Sequence, residues 1–143
     1  MPLEVRRLRP DARLPRRAHP GDAGLDLVAV EALELPPGGR APVATGLAVA
    51  VPPGHAGLVL PRSGLARRAG VTVANAPGLI DPGYRGEVVV VLVNLGDATH
   101  RVDPGDRIAQ LVVVPLASPD LIEVDALPPG DGRDDGGFGS TGR

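Results

Sequence analysis

The apolar stretch at residues 87–93 reads Glu87-Val88-Val89-Val90-Val91-Leu92-Val93, with no polar residue between its apolar ones. Valine is β-branched, and its side chain fits the pleated backbone of a strand better than a helix. A strand without polar alternation is typically buried on both faces. We therefore predict a strand that is buried on both faces, and we infer that another subunit can cover one of them.

Shorter apolar runs elsewhere in the chain are also predicted to be strands. They are bounded by Pro and Gly, whose fixed or positive φ angles suit turns. The predicted strands are Val43–Val51, Gly57–Leu60, Val71–Ala74, Val88–Val93, Ile108–Val114 and Leu121–Val124. The predicted turns are Pro36–Gly39, Pro52–Gly54, Asp81–Gly83, Asp103–Asp106 and Pro128–Gly130. Only Ser63–Gly70 suits a short helix, so the pattern predicts an all-β sandwich, jelly roll or barrel.

Length and charge narrow the class of protein further. A chain of 143 residues is expected to form a single domain, and a net charge of −2 offers no field that would hold DNA or an anionic membrane. All fifteen basic residues are Arg, and Cys is absent, which excludes disulfides and thiolate metal sites. No apolar stretch is long enough to span a bilayer. We expect a cytoplasmic protein with no direct nucleic-acid binding and no membrane binding.

The composition changes near the C-terminus. From Pro128 onward the chain is rich in Gly and Asp and nearly free of apolar residues, so it cannot build a core of its own. We predict a β-domain over residues 1–130 and a mobile arm over residues 131–143 that becomes ordered on binding.

Both aromatic residues of the chain lie in Gly-rich loops. Tyr84 follows Asp-Pro-Gly, and Phe138 lies within the arm. Either ring can stack on a planar ligand, but Phe138 can equally hold the arm against a neighbouring surface.

Two segments have the composition of phosphate-binding loops. In the arm, Gly backbone amides accompany the hydroxyls of Ser140 and Thr141 and the guanidinium of Arg133. Arg62 and Ser63 stand at the start of the predicted helix, where backbone N–H groups attract anions. The alternatives are a flexible terminus for the arm and a surface Arg beside an N-cap Ser for the second segment.

Three carboxylates are candidates for metal binding or catalysis. Asp22 and Asp26 offer oxygen ligands of the kind that Mg²⁺ prefers, although Asp beside Gly also forms ordinary turns. Asp81 can act as a general base toward water, or it can simply begin the Asp-Pro-Gly turn.

Five motifs in this order match one known family. They are Gly21–Leu27, Pro61–Ala66, Gly78–Gly86, Gly105–Leu111 and Arg133–Gly142, and they include Gly-Asp-Arg-Ile-Ala-Gln-Leu and Gly-Gly-Phe-Gly-Ser-Thr-Gly. By these motifs the chain resembles the trimeric dUTP pyrophosphatases, the dUTPases. The resemblance implies a jelly-roll-like β-clip fold, a homotrimer whose active sites are shared between subunits, and Mg²⁺ as cofactor.

The resemblance also implies a role for each matching residue. Asp81 would activate water for attack on the α-phosphorus of dUTP, and Asp26 would hold, through water, an Mg²⁺ ion carried mainly by the substrate phosphates. The residues implied in phosphate binding are Arg62, Ser63, Gly64 and Gln110. Those implied in binding uracil and deoxyribose are Asn75, Leu79, Ile80, Tyr84 and Val89. Those of the closing arm are Arg133, Phe138, Gly139, Ser140 and Thr141.

The implied reaction releases dUMP and pyrophosphate, which limits uracil incorporation into DNA and supplies dUMP for dTMP synthesis. In one respect the chain departs from the family pattern, because Asp134 and Asp135 follow Arg133 where the family usually has Gly. The alternatives are a dCTP deaminase-like or bifunctional nucleotide enzyme and a non-catalytic nucleotide-binding module.

Overall fold

The computed structural model describes residues 1–142, and over these residues it contains ten strands and one short helix. The elements in chain order are β1 Glu4–Arg7, β2 Leu25–Val28, β3 Leu33–Leu35, β4 Arg40–Ala50, β5 His55–Leu60, α1 Ser63–Ala69, β6 Val71–Val73, β7 Gly78–Ile80, β8 Glu87–Asn94, β9 His100–Val102 and β10 Arg107–Pro115. The prediction of an all-β domain is confirmed. The predicted strands between residues 43 and 114 are present, whereas the short strands β1, β2, β3, β7 and β9 were not predicted.

The strands form two four-stranded sheets and one two-stranded sheet. The strand orders are β1-β4-β8-β6, β2-β10-β5-β7 and β3-β9, and every pairing between neighbours is antiparallel. Buried side chains from all three sheets join one apolar cluster. The two larger sheets therefore enclose a single core.

Strand β8 is buried on only one face within the single chain. Val88, Val90 and Leu92 are almost fully buried, whereas Val89 is 43% exposed. Val91 and Val93, on the same face as Val89, are half-buried. The single chain thus covers one face of β8, because the pleat turns alternate Val residues away from the core, and burial of the other face by another subunit stays a prediction.

The predicted turns close in the expected way at four of their five positions. In each, the carbonyl of the first residue accepts a hydrogen bond from the N–H group three residues later. The pairs are Pro36 with Gly39, Pro52 with His55, Asp81 with Tyr84 and Asp103 with Asp106.

The predicted helix is also present. Its cap is Arg62, in extended conformation and without a side-chain capping bond, so Ser63 is the first helical residue instead of the cap. Gly70 ends the helix at φ 69°, the left-handed conformation that favours glycine. With seven residues, α1 is far too short to cross a membrane, and it is the only helix within residues 1–142.

Two polar residues are fully buried in the domain. The Asn94 side chain donates to the carbonyls of Leu35 and Ala98, each at 2.8 Å, and accepts from the Gly96 N–H at 2.9 Å. Thr45 donates to the Val88 carbonyl. Asn94 thereby ties β8 to β3 and to the loop that follows β8.

The C-terminal segment Leu116–Gly142 lies outside the strands and the helix. The predicted strand Leu121–Val124 is absent, and Leu121 and Ile122 are 96% and 80% exposed. Pairing in β10 ends at Pro115, opposite His55 of β5. Apolar composition alone does not make a strand where no neighbouring strand is available to accept its hydrogen bonds.

Candidate active site

A small cavity opens between β7 and β8, which belong to different sheets. Its volume is about 160 Å³, enough for a few water molecules or one small ring. All five residues expected to bind uracil and deoxyribose lie in its lining: Asn75, Leu79, Ile80, Tyr84 and Val89. We call this the nucleoside cavity.

The turn between β7 and β8 orients Tyr84 at this cavity. The Tyr84 hydroxyl donates to the Glu87 carbonyl at 2.9 Å, and its backbone N–H donates to the Asp81 carbonyl at 3.0 Å. The ring lies directly over Gly86, where an added Cβ would come within 2.6 Å of the ring carbon that bears the hydroxyl. Glycine at position 86 is thus required for this position of the ring.

A second cavity, of about 340 Å³, is lined by polar and charged groups. The four residues expected to bind phosphate all line it, together with Asp26: they are Arg62, Ser63, Gly64 and Gln110. We call this the phosphate cavity. It brings together side chains from β2, β10 and the start of α1.

Gln110 is held in this cavity from two sides. Its side-chain amide donates to the Pro61 carbonyl at 3.0 Å. Its carbonyl oxygen lies against Gly24, where a Cβ would collide with it. This contact explains why a glycine stands between the two carboxylates of the first motif.

Asp26 is one of two carboxylates that line this cavity, the other being Asp22. The two oxygens of Asp26 lie 3.3 Å from Nε of Arg62 and 3.4 Å from Nη1 of Arg107, and its side chain is 16% exposed. Its backbone N–H donates to the Arg16 carbonyl at 2.7 Å. Asp26 therefore fixes the direction of Arg62 across the cavity.

Asp22 has the role of a turn residue. Its carboxylate accepts the His19 N–H at 2.8 Å, and its own carbonyl accepts Nε of Arg17 at 2.7 Å. Within residues 1–142, no group of three or more potential ligands gathers to hold a metal ion. Asp26 and Asp22 in an open polar cavity do fit a hydrated Mg²⁺, which binds through one or two carboxylates and takes its other ligands from water and phosphate.

Asp81 lines neither cavity, although it directly follows the lining residue Ile80. It is exposed, and its carbonyl closes the turn to Tyr84. The two cavities share no lining residue. Within one chain, therefore, the groups expected to bind the base and those expected to bind the phosphates are not assembled into one site.

The arm residues touch neither cavity. Phe138 is fully exposed with φ 49°, and the Arg133, Gly139, Ser140 and Thr141 side chains and backbone lie in solvent. Within residues 131–142, the hydrogen bonds of the arm are local, such as that from Arg133 Nε to the Gly136 carbonyl at 3.2 Å.

Some lining residues were not predicted as site residues. Glu87, Val88, Val90 and Val91 line the nucleoside cavity beside Val89, and Gly24 lines the phosphate cavity. The signal for Gly24 was its place inside the first motif. No local pattern distinguishes a valine that lines a cavity from one in the core, because that depends on how the sheets pack.

The fold and the two cavities define a β-sheet protein that binds a phosphorylated nucleoside. The dUTPase family model matches residues 10–142, and the chain belongs to this family. It is 55% identical over 141 residues to the deoxyuridine 5'-triphosphate nucleotidohydrolase of Thermobifida fusca, covering 98% of this chain and 78% of the relative.

Solved structures agree with this assignment. The chain matches the dUTPase of Staphylococcus bacteriophage 80alpha, solved with dUpNHpp, at a TM-score of 0.93 and 31% identity over 99% of both chains. It matches a mutant dUTPase of S. aureus phage phi11, described with a structural Mg(II) ion, at a TM-score of 0.83 and 30% identity over 88% of this chain and 98% of that one.

Proposed function

We propose that the chain hydrolyses dUTP to dUMP and pyrophosphate as a homotrimer with Mg²⁺ as cofactor. The observation that carries this proposal is the sorting of the family's motif residues into two cavities. One is small and lined by backbone, valines and a tyrosine, and the other is lined by Arg, Ser and Gln. The first suits a nucleoside and the second suits a triphosphate.

The nucleoside cavity selects its ligand by size and by hydrogen bonding. Asn75, Leu79 and Ile80 line a space of about 160 Å³ and can offer it a side-chain amide and backbone polar groups. A uracil ring pairs with these groups, whereas a 5-methyl group requires additional room. Tyr84 packs under the deoxyribose and leaves no place for a 2′-hydroxyl. A site that matches its ligand's polar groups rejects analogues that lack them.

The phosphate cavity supplies cationic and neutral donors to the triphosphate. Arg62 can form paired hydrogen bonds with phosphate oxygens, and Ser63, Gly64 and Gln110 add further donors. Donors held in place before the substrate arrives stabilise charge in the transition state at little reorganisation cost.

Mg²⁺ when bound supplies positive charge that neutralises the phosphate oxygens and orients the chain of phosphates. Asp26 would hold the ion through water, and its carboxylate, already paired with Arg62 and Arg107, supports such an indirect role.

Asp81 acts as the general base. Its carboxylate accepts a proton from a water molecule whose oxygen bonds to the α-phosphorus, and the bond from that phosphorus to the bridging oxygen breaks to release pyrophosphate. General-base assistance of this kind contributes about 10²–10⁴-fold to the rate.

Three features of the single chain support a trimer with shared sites. The two cavities have no lining residue in common, so the base-binding and phosphate-binding groups of one site can come from different subunits. One face of β8 is incompletely buried. The C-terminal segment also exposes Leu121, Ile122 and Leu127, which a neighbouring subunit can cover.

The arm, residues 131–143, closes over the completed site. Phe138 stacks on the base, while Arg133, Gly139, Ser140 and Thr141 contact the phosphates. The β-domain over residues 1–130 carries the rest of the site. We place the reaction in the cytoplasm, with a free nucleotide as substrate instead of a nucleic acid, in keeping with the net charge of −2.

The test is pyrophosphate release by the purified protein from dUTP, UTP, dTTP and dCTP, with Mg²⁺ or with EDTA, and with chromatographic identification of products. We expect dUMP from dUTP alone and loss of turnover in EDTA. Appearance of dUTP or dUMP from dCTP would assign the protein to the deaminase-like alternative. No turnover of any nucleotide would favour a non-catalytic binding module.

A further inference from the structure

A third cavity, of about 330 Å³, lies next to the phosphate cavity and has a strongly cationic lining. Four arginines line it: Arg13, Arg16, Arg17 and Arg107. Its only acidic lining residue is Asp26, which also pairs with Arg62 of the phosphate cavity. Asp26 and Ala18 line both cavities, so the two are adjacent.

The excess positive charge in this cavity is local. The chain as a whole has a net charge of −2, yet four arginines and one carboxylate line this cavity. Within residues 1–142, Arg13 and Arg16 form no ion pair, whereas Arg107 pairs with Asp26 at 3.4 Å. Concentrated charge of one sign in a concave surface attracts counter-ions of the opposite sign.

Contacts place the side chains of Arg13 and Arg17 and the backbone of Arg16 at this cavity. The guanidinium of Arg13 lies against Gly105, where an added Cβ would come within 3.2 Å of both of its terminal nitrogens. The Arg16 carbonyl accepts the Asp26 N–H at 2.7 Å, and Arg17 donates to the Asp22 carbonyl at 2.7 Å. Gly105 has φ 95°, so a larger residue is unfavourable there for two independent reasons.

We propose that this cavity is a second anion site that binds inorganic pyrophosphate. Several guanidinium groups suit an anion with two phosphate groups better than a single phosphate, because each guanidinium can take two oxygens. At roughly 30 Å³ per water molecule, the volume accommodates pyrophosphate together with bridging waters. This inference rests on the proposed function only for the source of pyrophosphate. Pyrophosphate would be released in the adjacent phosphate cavity and would pass through this site as it leaves.

The test is calorimetric titration of pyrophosphate with Mg²⁺ into the full-length protein saturated with a dUTP analogue that carries an imido group between the α- and β-phosphates. With the phosphate cavity occupied, the wild-type protein is expected to bind pyrophosphate still. The Arg13→Gln/Arg16→Gln double variant should bind it about tenfold or more weakly. The control is Arg6→Gln/Arg7→Gln, which removes the same charge from exposed positions of β1 and should bind pyrophosphate as the wild type does.

Three results would overturn the proposal: no pyrophosphate binding to the saturated wild-type protein, equal affinity in the Arg13/Arg16 variant, or an equal loss in the control. Failure of the analogue to bind would contradict the proposed function instead. In that case, pyrophosphate is titrated into the free protein. The Arg13→Gln/Arg16→Gln variant must then still bind it more weakly than the wild type and the Arg6→Gln/Arg7→Gln control do.

Discussion

The strands that end at Pro115 and the segment Leu116–Gly142 both carry family motifs, but the strands enclose a core whereas the segment is largely exposed. In the first, the nucleoside and phosphate cavities are formed by paired strands around one apolar cluster. In the second, Phe138 is fully exposed and makes no contact with either cavity. Fixing a backbone residue costs about 1–2 kcal/mol of conformational entropy, and the arm has too few contacts to offset this alone. A motif can therefore depend on its ligand or on a neighbouring subunit for its geometry.

The largest expected effect is on catalysis within the β-domain. In Asp81→Asn the shape and the turn to Tyr84 are retained, but the side chain can no longer accept a proton from water. We expect turnover to fall about 10²–10⁴-fold with little change in affinity for a non-hydrolysable dUTP analogue. Steady-state kinetics and calorimetry measure the two quantities. Asp97→Asn, in an exposed turn, is the control, and turnover at the wild-type rate would remove Asp81 from the mechanism.

The next largest expected effect is on stability, where a substitution in the strands should cost more than one in the arm. Asn94→Ala leaves the Leu35 and Ala98 carbonyls and the Gly96 N–H without their partners. Loss of a buried hydrogen-bond network should lower the free energy of unfolding by about 2–4 kcal/mol. Denaturant unfolding at one fixed protein concentration measures it, with the exposed Asp131→Ala as the matched control in the arm. Equal stability of both variants would contradict the contrast.

Deletion of residues 131–143 should separate activity from stability. Because the arm packs on nothing in the described chain, we expect the thermal midpoint to stay within about 1 °C. Loss of one stacking ring and one charged hydrogen-bonding group should reduce kcat/KM by roughly a hundredfold. Thermal unfolding measures the midpoint, light scattering measures the oligomeric state, and nucleotide assays measure kcat/KM. An unfolded or monomeric product would instead make the arm a structural element.

The smallest effect expected is on substrate selection. In Gly86→Ala the new methyl group displaces the Tyr84 ring. The preference for dUTP over UTP should then fall about tenfold, a change typical of an altered apolar contact. The control is Gly83→Ala, where a Cβ meets nothing within 4 Å. The measurement is the ratio of kcat/KM for dUTP to that for UTP. An unchanged ratio would show that the position of the Tyr84 ring does not discriminate deoxyribose from ribose.

Local chemistry accounts for the parts of the fold that were predicted. Pro and Gly set the turns at Pro36, Pro52, Asp81 and Asp103, and the glycine at position 70 ends α1. The short strands β3 and β9 could not be predicted, because each exists only by pairing with the other across a gap of more than sixty residues. The predicted strand Leu121–Val124 is absent for a related reason. An apolar run becomes a strand only where a partner strand is present.

The candidate site also has features that could be predicted from the sequence and features that could not. The motifs identified its residues, but not the pairing of Asp26 with Arg62 or the contact of Gln110 with Gly24, which join parts of the chain that are distant in sequence. The third cavity, lined by Arg13, Arg16, Arg17 and Arg107, was not predicted, because its arginines come from two segments that only the fold brings together.

The sequence by itself determined the all-β class, most of the longer strands and turns, and the family, and it predicted the residues of the candidate site, because these depend on residue type and near neighbours. Only the tertiary structure decided that Val88 is buried while Val89 is 43% exposed, and that the residues expected to bind the base and those expected to bind the phosphates line separate cavities. The reason is that a strand's register and the packing of two sheets depend on contacts between residues far apart in sequence, where a shift of one position exchanges the two faces.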